Sequence, residues 1–272
     1  MKSEKKRGMA FLLIVLWAVL CSFPCFSAQT VRLKLTVLYD NYTAAEGTQA
    51  DWGFSCLAEG GGKSILFDTG TKTSILKANT AALKVDLSRM DMVVISHLHG
   101  DHIGGLEWVL SHKKGIPVYL PASADDAFLT EVKGWGGCPV RVKEAIKLCD
   151  RIFLTGEMPA DFNPEFTEQS MIFVTVKGSV VLTGCAHPGI VAIARRASEM
   201  IPGKLYACLG GFHLVNKNEE HVQGVLAEFR KLGVECCGAT HCTGDKAIAA
   251  IRDAYAEHYL PLGVGRVLEF DW

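Results

Sequence analysis

Four candidate metal ligands fall within six residues: His97, His99, Asp101 and His102, in Ser96-His97-Leu98-His99-Gly100-Asp101-His102-Ile103-Gly104-Gly105. Imidazole nitrogen and carboxylate oxygen are donors that a divalent ion such as Zn²⁺ accepts. Imidazole also suits iron and carboxylate suits manganese, so this stretch alone leaves the metal open. The residues in front of it, Val93-Val94-Ile95, are apolar and β-branched and read as a short buried strand. Beyond its end the chain stays extended, so side chains alternate and His97 and His99 project the same way. Gly100 lets the backbone turn, which brings Asp101 and His102 to the other side of the same hollow. A polar surface loop uses the same residue types, but a tight cluster at the end of a buried strand has little structural use.

The same layout recurs three times. Apolar strands run into Gly184-Cys185-Ala186-His187-Pro188-Gly189, Gly210-Gly211-Phe212-His213 and Ala239-Thr240-His241-Cys242. A lone histidine is ordinarily a satisfied polar side chain. Three of them, each after an apolar strand and beside glycine or at a strand end, make His187 and His241 further ligand candidates and His213 a site-lining one. His112 ends a helix and reads as a polar C-terminal residue.

Elements of alternating type must position these residues. Strands are expected at 31–38, 53–57, 64–67, 116–120, 140–142, 152–154, 205–209 and 266–270. A hairpin is expected from Met171–Val176 to Ser179–Thr183 across Lys177-Gly178. Helices are expected at 71–83, 104–111, 122–132, 189–200, 219–232 and 246–257. In the fifth, Val222, Val225, Leu226 and Phe229 form one stripe and Gly233 caps the end. A helix or turn is expected between 142 and 152. Asp68, leaving a strand into Thr69-Gly70, fits a loop cap. Residues 155–169 read as a long loop, in which Glu157 is a solvated acid rather than a site residue. Substrate specificity is expected in the loops at 40–52, 133–139 and 155–169.

The chain has 272 residues, 49% of them hydrophobic and 21% charged, an ordinary globular composition. Lys5-Lys6-Arg7, an unbroken apolar run of 12 from Met9 to Leu20, Pro24 and then Ser27 have the layout of a secretory signal peptide over residues 1–27. An uncleaved membrane anchor is the alternative. Residues 28–272 then form one domain, exported to the periplasm or secreted. Removing four basic residues and one acid from 28 and 29 leaves 24 against 28, a formal charge of −4. No basic stripe is present, which argues against nucleic acid as a partner. The eight remaining cysteines show no CxxC pair and read mostly as small buried hydrophobes.

His97-Leu98-His99-Gly100-Asp101-His102 resembles the metallo-β-lactamase superfamily, whose hallmark is His-x-His-x-Asp-His, and the match is complete. Leu66-Phe67-Asp68-Thr69-Gly70, the His97–Gly105 stretch, Gly184–Ile190, Gly210–Leu214 and Thr240–Gly244, in that order, resemble one branch of it. That branch is named for a dihydropterin–aminobenzene ribofuranosyl phosphate synthase of the methanopterin pathway. The resemblance spans essentially all of 28–272. It implies an α/β fold, an αβ/βα sandwich of two mixed β-sheets with helices on the outer faces. It also implies two divalent ions, zinc first and iron or manganese as alternatives: one on His97, His99 and His187, the other on Asp101, His102 and His241. Many members have a bridging Asp where this chain has Cys185, so either Cys185 ligates or water alone bridges. The resemblance also implies that Asp68 lies beneath the metal site and orients a ligand, a role compatible with capping. The branch often carries paired acids where this chain has Glu168-Gln169-Ser170.

The reaction these features imply is hydrolysis. Two ions about 3.5–4 Å apart lower the pKa of a shared water, and the hydroxide attacks a small phosphoester or a cyclic ester. Asp101 is expected to hold that hydroxide, and His213 to serve the leaving group or bind a phosphate oxygen. The rivals are a pterin-related synthase, which an export signal argues against, and a non-catalytic metal-binding protein of the cell envelope. The expected partner is a small-molecule substrate. Membrane contact is expected only through an uncleaved N-terminus, and a homodimer stays open.

Overall fold

Parallel strand pairing is what gathers the candidate ligands at one edge. The computed structural model describes residues 32–272; the expected signal peptide at 1–27 lies outside the described residues. The first half runs β1 (Arg32–Tyr39), β2 (Ser55–Gly60), β3 (Lys63–Phe67), α1 (Thr73–Ala82), β4 (Met92–Val94), α2 (Gly100–Ile103), α3 (Leu106–His112), β5 (Pro117–Pro121), α4 (Asp126–Gly134) and β6 (Cys138–Val142). The second half runs β7 (Ile146–Cys149), β8 (Ile152–Leu154), β9 (Met158–Ala160), β10 (Asn163–Glu168), β11 (Met171–Thr175), β12 (Gly178–Thr183), α5 (Ile190–Met200), β13 (Leu205–Gly211), α6 (Glu219–Leu232), β14 (Cys236–Thr240), α7 (Asp245–Tyr255) and β15 (Val267–Asp271). One sheet has seven strands in the order β15-β1-β2-β3-β4-β5-β6, and the other has six in the order β14-β13-β12-β11-β8-β7. β3 to β6 are mutually parallel, as are β12 to β14. Their C-terminal ends therefore lie side by side within each sheet.

Three apolar layers hold the sandwich together. Leu35, Phe54, Phe67 and Val94 of the first sheet side meet Leu154, Met171, Phe173 and Leu209 of the second. Leu76 of α1, Val109 and Leu110 of α3 and Leu129 of α4 cover the outer face of the first sheet. Ile193 of α5, Leu226 and Phe229 of α6 and Ile251 of α7 cover the second. Removing this apolar surface from water is the main driving force for stacking the layers. In α6 the buried stripe is Val222, Val225, Leu226 and Phe229; the Asn218 side chain accepts from the His221 N–H at the start, and Gly233 in the left-handed region ends it.

Several expectations need correction. The stretch from 155 to 169 is not a loop: β9 and β10 pair antiparallel within it. β7 replaces the helix or turn expected after β6, and it pairs with β8. The helix expected from 104 starts earlier and is broken. α2 already contains Asp101 and His102, and α3 begins at Leu106. Gly104 joins the two. A Cβ at Gly104 would overlap the Thr71 carbonyl oxygen, so only glycine fits this crossing. The helix expected from 122 starts at Asp126, because Asp125 caps it by accepting from the Phe128 N–H.

Candidate metal centre

The hydrogen bonds beneath the histidines decide which ring nitrogen each presents. Asp68, just past β3, accepts from the Ser96 N–H, the Ser96 hydroxyl and His102 Nδ1, each at 2.7 Å. Ser96 has one hydroxyl proton and gives it to Asp68. Its Oγ therefore accepts from His97 Nδ1 at 2.9 Å. Across the gap, Glu168 closes β10. One of its oxygens accepts from the Thr183 hydroxyl and from the Cys185 and Ala186 N–H groups; the other accepts from the His187 N–H at 2.9 Å and His187 Nδ1 at 2.8 Å. Asn41 Oδ1 accepts from His241 Nδ1 at 2.9 Å. These tautomers follow from donor–acceptor bookkeeping. His97, His102, His187 and His241 all donate through Nδ1, so each ring in its neutral form keeps its lone pair on Nε2. Metal-binding histidines are held in this way, by a carboxylate, hydroxyl or amide on the far nitrogen.

Those lone pairs converge in two groups. The ligand atoms of His97, His99 and His187 lie within 4.8 Å of one another, as do those of Asp101, His102, Cys185 and His241. In the second group Asp101 Oδ2 is 3.6 Å from His102 Nε2 and 3.4 Å from His241 Nε2, and Cys185 Sγ is 3.2 Å from His102 Nε2. Zinc–nitrogen bonds of about 2.1 Å and zinc–sulfur bonds of about 2.3 Å give tetrahedral edges of roughly 3.3–3.6 Å. The spacing therefore fits a small divalent ion. His97 Nε2 and His241 Nε2 are buried with no hydrogen-bond partner among the described residues. An orphaned buried acceptor is costly, and a cation removes that cost.

Charge and backbone strain point to the same place. Burial alone would push Glu168 up, but the His187 side chain and the His187 and Ala186 backbone N–H groups hold it down at about 2. Asp101 is likewise held well below the usual carboxylate range, against its burial, by His241 and His102. Burial disfavours a proton on His102, yet Asp68 beside it outweighs this and raises His102 to about 9. An ion at His102 Nε2 must therefore displace a proton. Asp68, Ala186, His213 and His241 all have φ between 51° and 61°. Non-glycine residues rarely adopt this region, and strain of this kind clusters at functional sites.

All seven histidine and aspartate candidates named from sequence come together at this edge. The ligand atoms of His213, Cys185 and His187 form a third such group, which shares Cys185 and His187 with the other two, and His213 Nδ1 is buried with no hydrogen-bond partner among the described residues. Asp68 orients Ser96 and His102 rather than merely capping a loop. Among the described residues His112 bonds only the Trp108 carbonyl, away from the centre. Glu157 accepts from the Ser123 N–H and the Thr167 hydroxyl, and so is not simply solvated. Sequence reasoning placed Glu168 where the branch often carries paired acids but left its role open. It also missed Trp52, whose indole N–H donates to Asp101 Oδ2 at 2.8 Å, and Phe166, which stacks on His99 with ring centroids 4.5 Å apart.

Residues 53–194, just over half of the chain, match the family described as the metallo-beta-lactamase superfamily. The chain belongs to that superfamily. Its members typically bind divalent metals, and the two ligand groups here are candidates for that role. The 7,8-dihydropterin-6-methyl-4-(β-D-ribofuranosyl)-aminobenzene-5'-phosphate synthase of Methanocaldococcus jannaschii is 27% identical over 275 residues, covering 85% of this chain and 94% of the relative. Among solved structures, Tm1679, a metal-dependent hydrolase of the β-lactamase superfamily, superposes with a TM-score of 0.75 at 26% identity, covering 88% of this chain and 100% of that one. YhfI from Bacillus subtilis shares the fold at a TM-score of 0.64 and 14% identity, covering 88% of this chain and 99% of that one. The αβ/βα sandwich expected from sequence is thus the fold observed.

Proposed function

We propose that the chain is a metal-dependent hydrolase that holds two divalent ions, zinc first among the candidates. The observation that carries this reading is the set of four Nε2 lone pairs, each aimed by a hydrogen bond on the opposite nitrogen. His97, His99 and His187 would hold one ion; Asp101, His102, His241 and Cys185 the other. Two such ions, when bound, supply a water of lowered pKa and neutralise developing negative charge on the substrate. The chain's own groups do the rest. Asp101, steadied by Trp52, orients the water. His213, half-buried beside His187, donates a proton to the departing oxygen. In a phosphoester the water oxygen bonds to phosphorus, the ester P–O bond breaks and the leaving alkoxide takes that proton. Tm1679, itself described as a metal-dependent hydrolase, supports this reading.

A second reading is a transfer reaction at the same centre, because the M. jannaschii relative is named as a synthase and matches along most of both chains. There a second substrate takes the place of water. Product analysis separates the two: incorporation of oxygen from ¹⁸O-labelled water into the product is expected for the hydrolase and absent for the transferase.

Metal content per chain, measured on protein purified without chelator, tests the centre itself. Two equivalents are expected, falling to about one in His241→Ala. One equivalent unchanged by that substitution sinks the second position. The role of Cys185 has its own readout. Cobalt-loaded protein is expected to show a sulfur-to-cobalt charge-transfer band that disappears in Cys185→Ser. Cobalt binding with no such band would remove Cys185 from the ligand set.

A further inference from the structure

A cavity of about 710 Å³ lies between α5 and α6 and opens onto the metal centre through His187 and His213. Its lining is mainly apolar, with Phe162, Pro188, Val191, Leu214 and Val225 contributing. Arg195 of α5 and Glu228 of α6 form an ion pair and also line it. Lys217 lies close enough to His213 to act on it electrostatically.

Gly224 lines this space from within α6, and a Cβ there would meet nothing within 4 Å. Glycine is a poor residue for a helix interior. No crowding neighbour requires it here. What the missing side chain provides is room, and Ala192 and Ala227 line the same space with small side chains. A cavity of this size holds a molecule well beyond a compact phosphate, since ligand pockets of roughly 300–1,000 Å³ take drug-sized molecules.

We propose that this groove binds an apolar arm of the substrate, so that the substrate is an aryl or long-chain alkyl phosphoester rather than a compact sugar phosphate. Continuity with the metal centre places the phosphoryl group beside His187 and His213, where Lys217 complements its charge, and directs the organic group outward between the helices. This inference rests on the hydrolase reading above and specifies its substrate.

The test uses the zinc-loaded full chain titrated calorimetrically with methylphosphonate, butylphosphonate and 4-phenylbutylphosphonate. Each buried methylene is expected to tighten binding roughly fourfold. On that scale 4-phenylbutylphosphonate should bind at least about a hundredfold more tightly than methylphosphonate. Gly224→Leu and, separately, Ala227→Leu fill the groove, and each should cut that ratio to below about tenfold while circular dichroism shows the fold retained. A ratio near one in the unsubstituted protein, or a ratio that neither variant changes, overturns the groove alone. Failure of all three compounds to bind, methylphosphonate included, overturns the metal-centre reading and this proposal with it.

Discussion

Glu168→Gln is expected to destabilise the protein at pH 7 on the order of 3 kcal/mol and to weaken metal binding by about 10- to 100-fold. The carboxylate is fully buried and is held at about 2, against an ordinary value of 4.5. A depressed carboxylate pKa contributes stability above the unfolded value, and that contribution is lost as pH falls from about 4.5 to about 2. Glutamine has no such titration, so the variant's acid limb should be flatter than that of the unsubstituted protein. The amide also brings two N–H donors to a place where backbone donors already converge from Cys185, Ala186 and His187. At least one is left facing another donor, and His187 loses the acceptor that fixes its tautomer. Urea unfolding between pH 2 and pH 8, with metal titrations of both proteins, checks this. Equal stability at pH 7 and equal slopes on the acid side would show that Glu168 carries neither role.

Asp68→Asn should separate metal binding from folding. Asparagine keeps the size of the side chain and can still accept from the Ser96 N–H. Its amide N–H₂ then faces either Ser96 Oγ or His102 Nδ1, both of which now meet an acidic oxygen at 2.7 Å. Facing His102, the amide makes Nδ1 an acceptor and puts the ring proton on Nε2, where it blocks the lone pair aimed at Asp101 and Cys185. The second metal position is therefore expected to lose affinity by about 10- to 100-fold while the first is kept. On the proposed two-ion hydrolase reading, metal content should fall from two equivalents toward one, and hydrolysis should fall with it. Removing a buried negative charge offsets part of the lost hydrogen bonding, so the unfolding midpoint should move less than in Glu168→Gln. Two full equivalents at unchanged affinity would show that Asp68 does not set the His102 tautomer.

The contrast between these two carboxylates marks where sequence reading stops. Asp68 was legible because it leaves a strand into Thr69-Gly70, where the resemblance implies an Asp that orients a ligand. Glu168 was marked only as standing where the branch often carries paired acids, with its role left open. Its partners are the backbone of residues 185–187 and the ring of His187, and they meet it only because β10 delivers Glu168 across from the end of β12. The stretch around it, rich in proline, asparagine and acids, has the composition of a loop. It forms strands only because its two halves pair with each other.

By itself the sequence determined the strand–glycine–histidine pattern, the identities of the ligand candidates and the bounds of α6, while the resemblance of its motifs implied the sandwich class. Apolar periodicity reports burial, and glycine and caps report where elements end; both are local signals. Only the tertiary structure decided which ring nitrogen each histidine presents, that Cys185 comes within 3.2 Å of His102, and that Trp52 reaches Asp101. It also set the left-handed backbone at His213 and His241. These depend on strand register, sheet-to-sheet spacing and hydrogen bonds between residues far apart in the chain. No periodicity encodes those quantities.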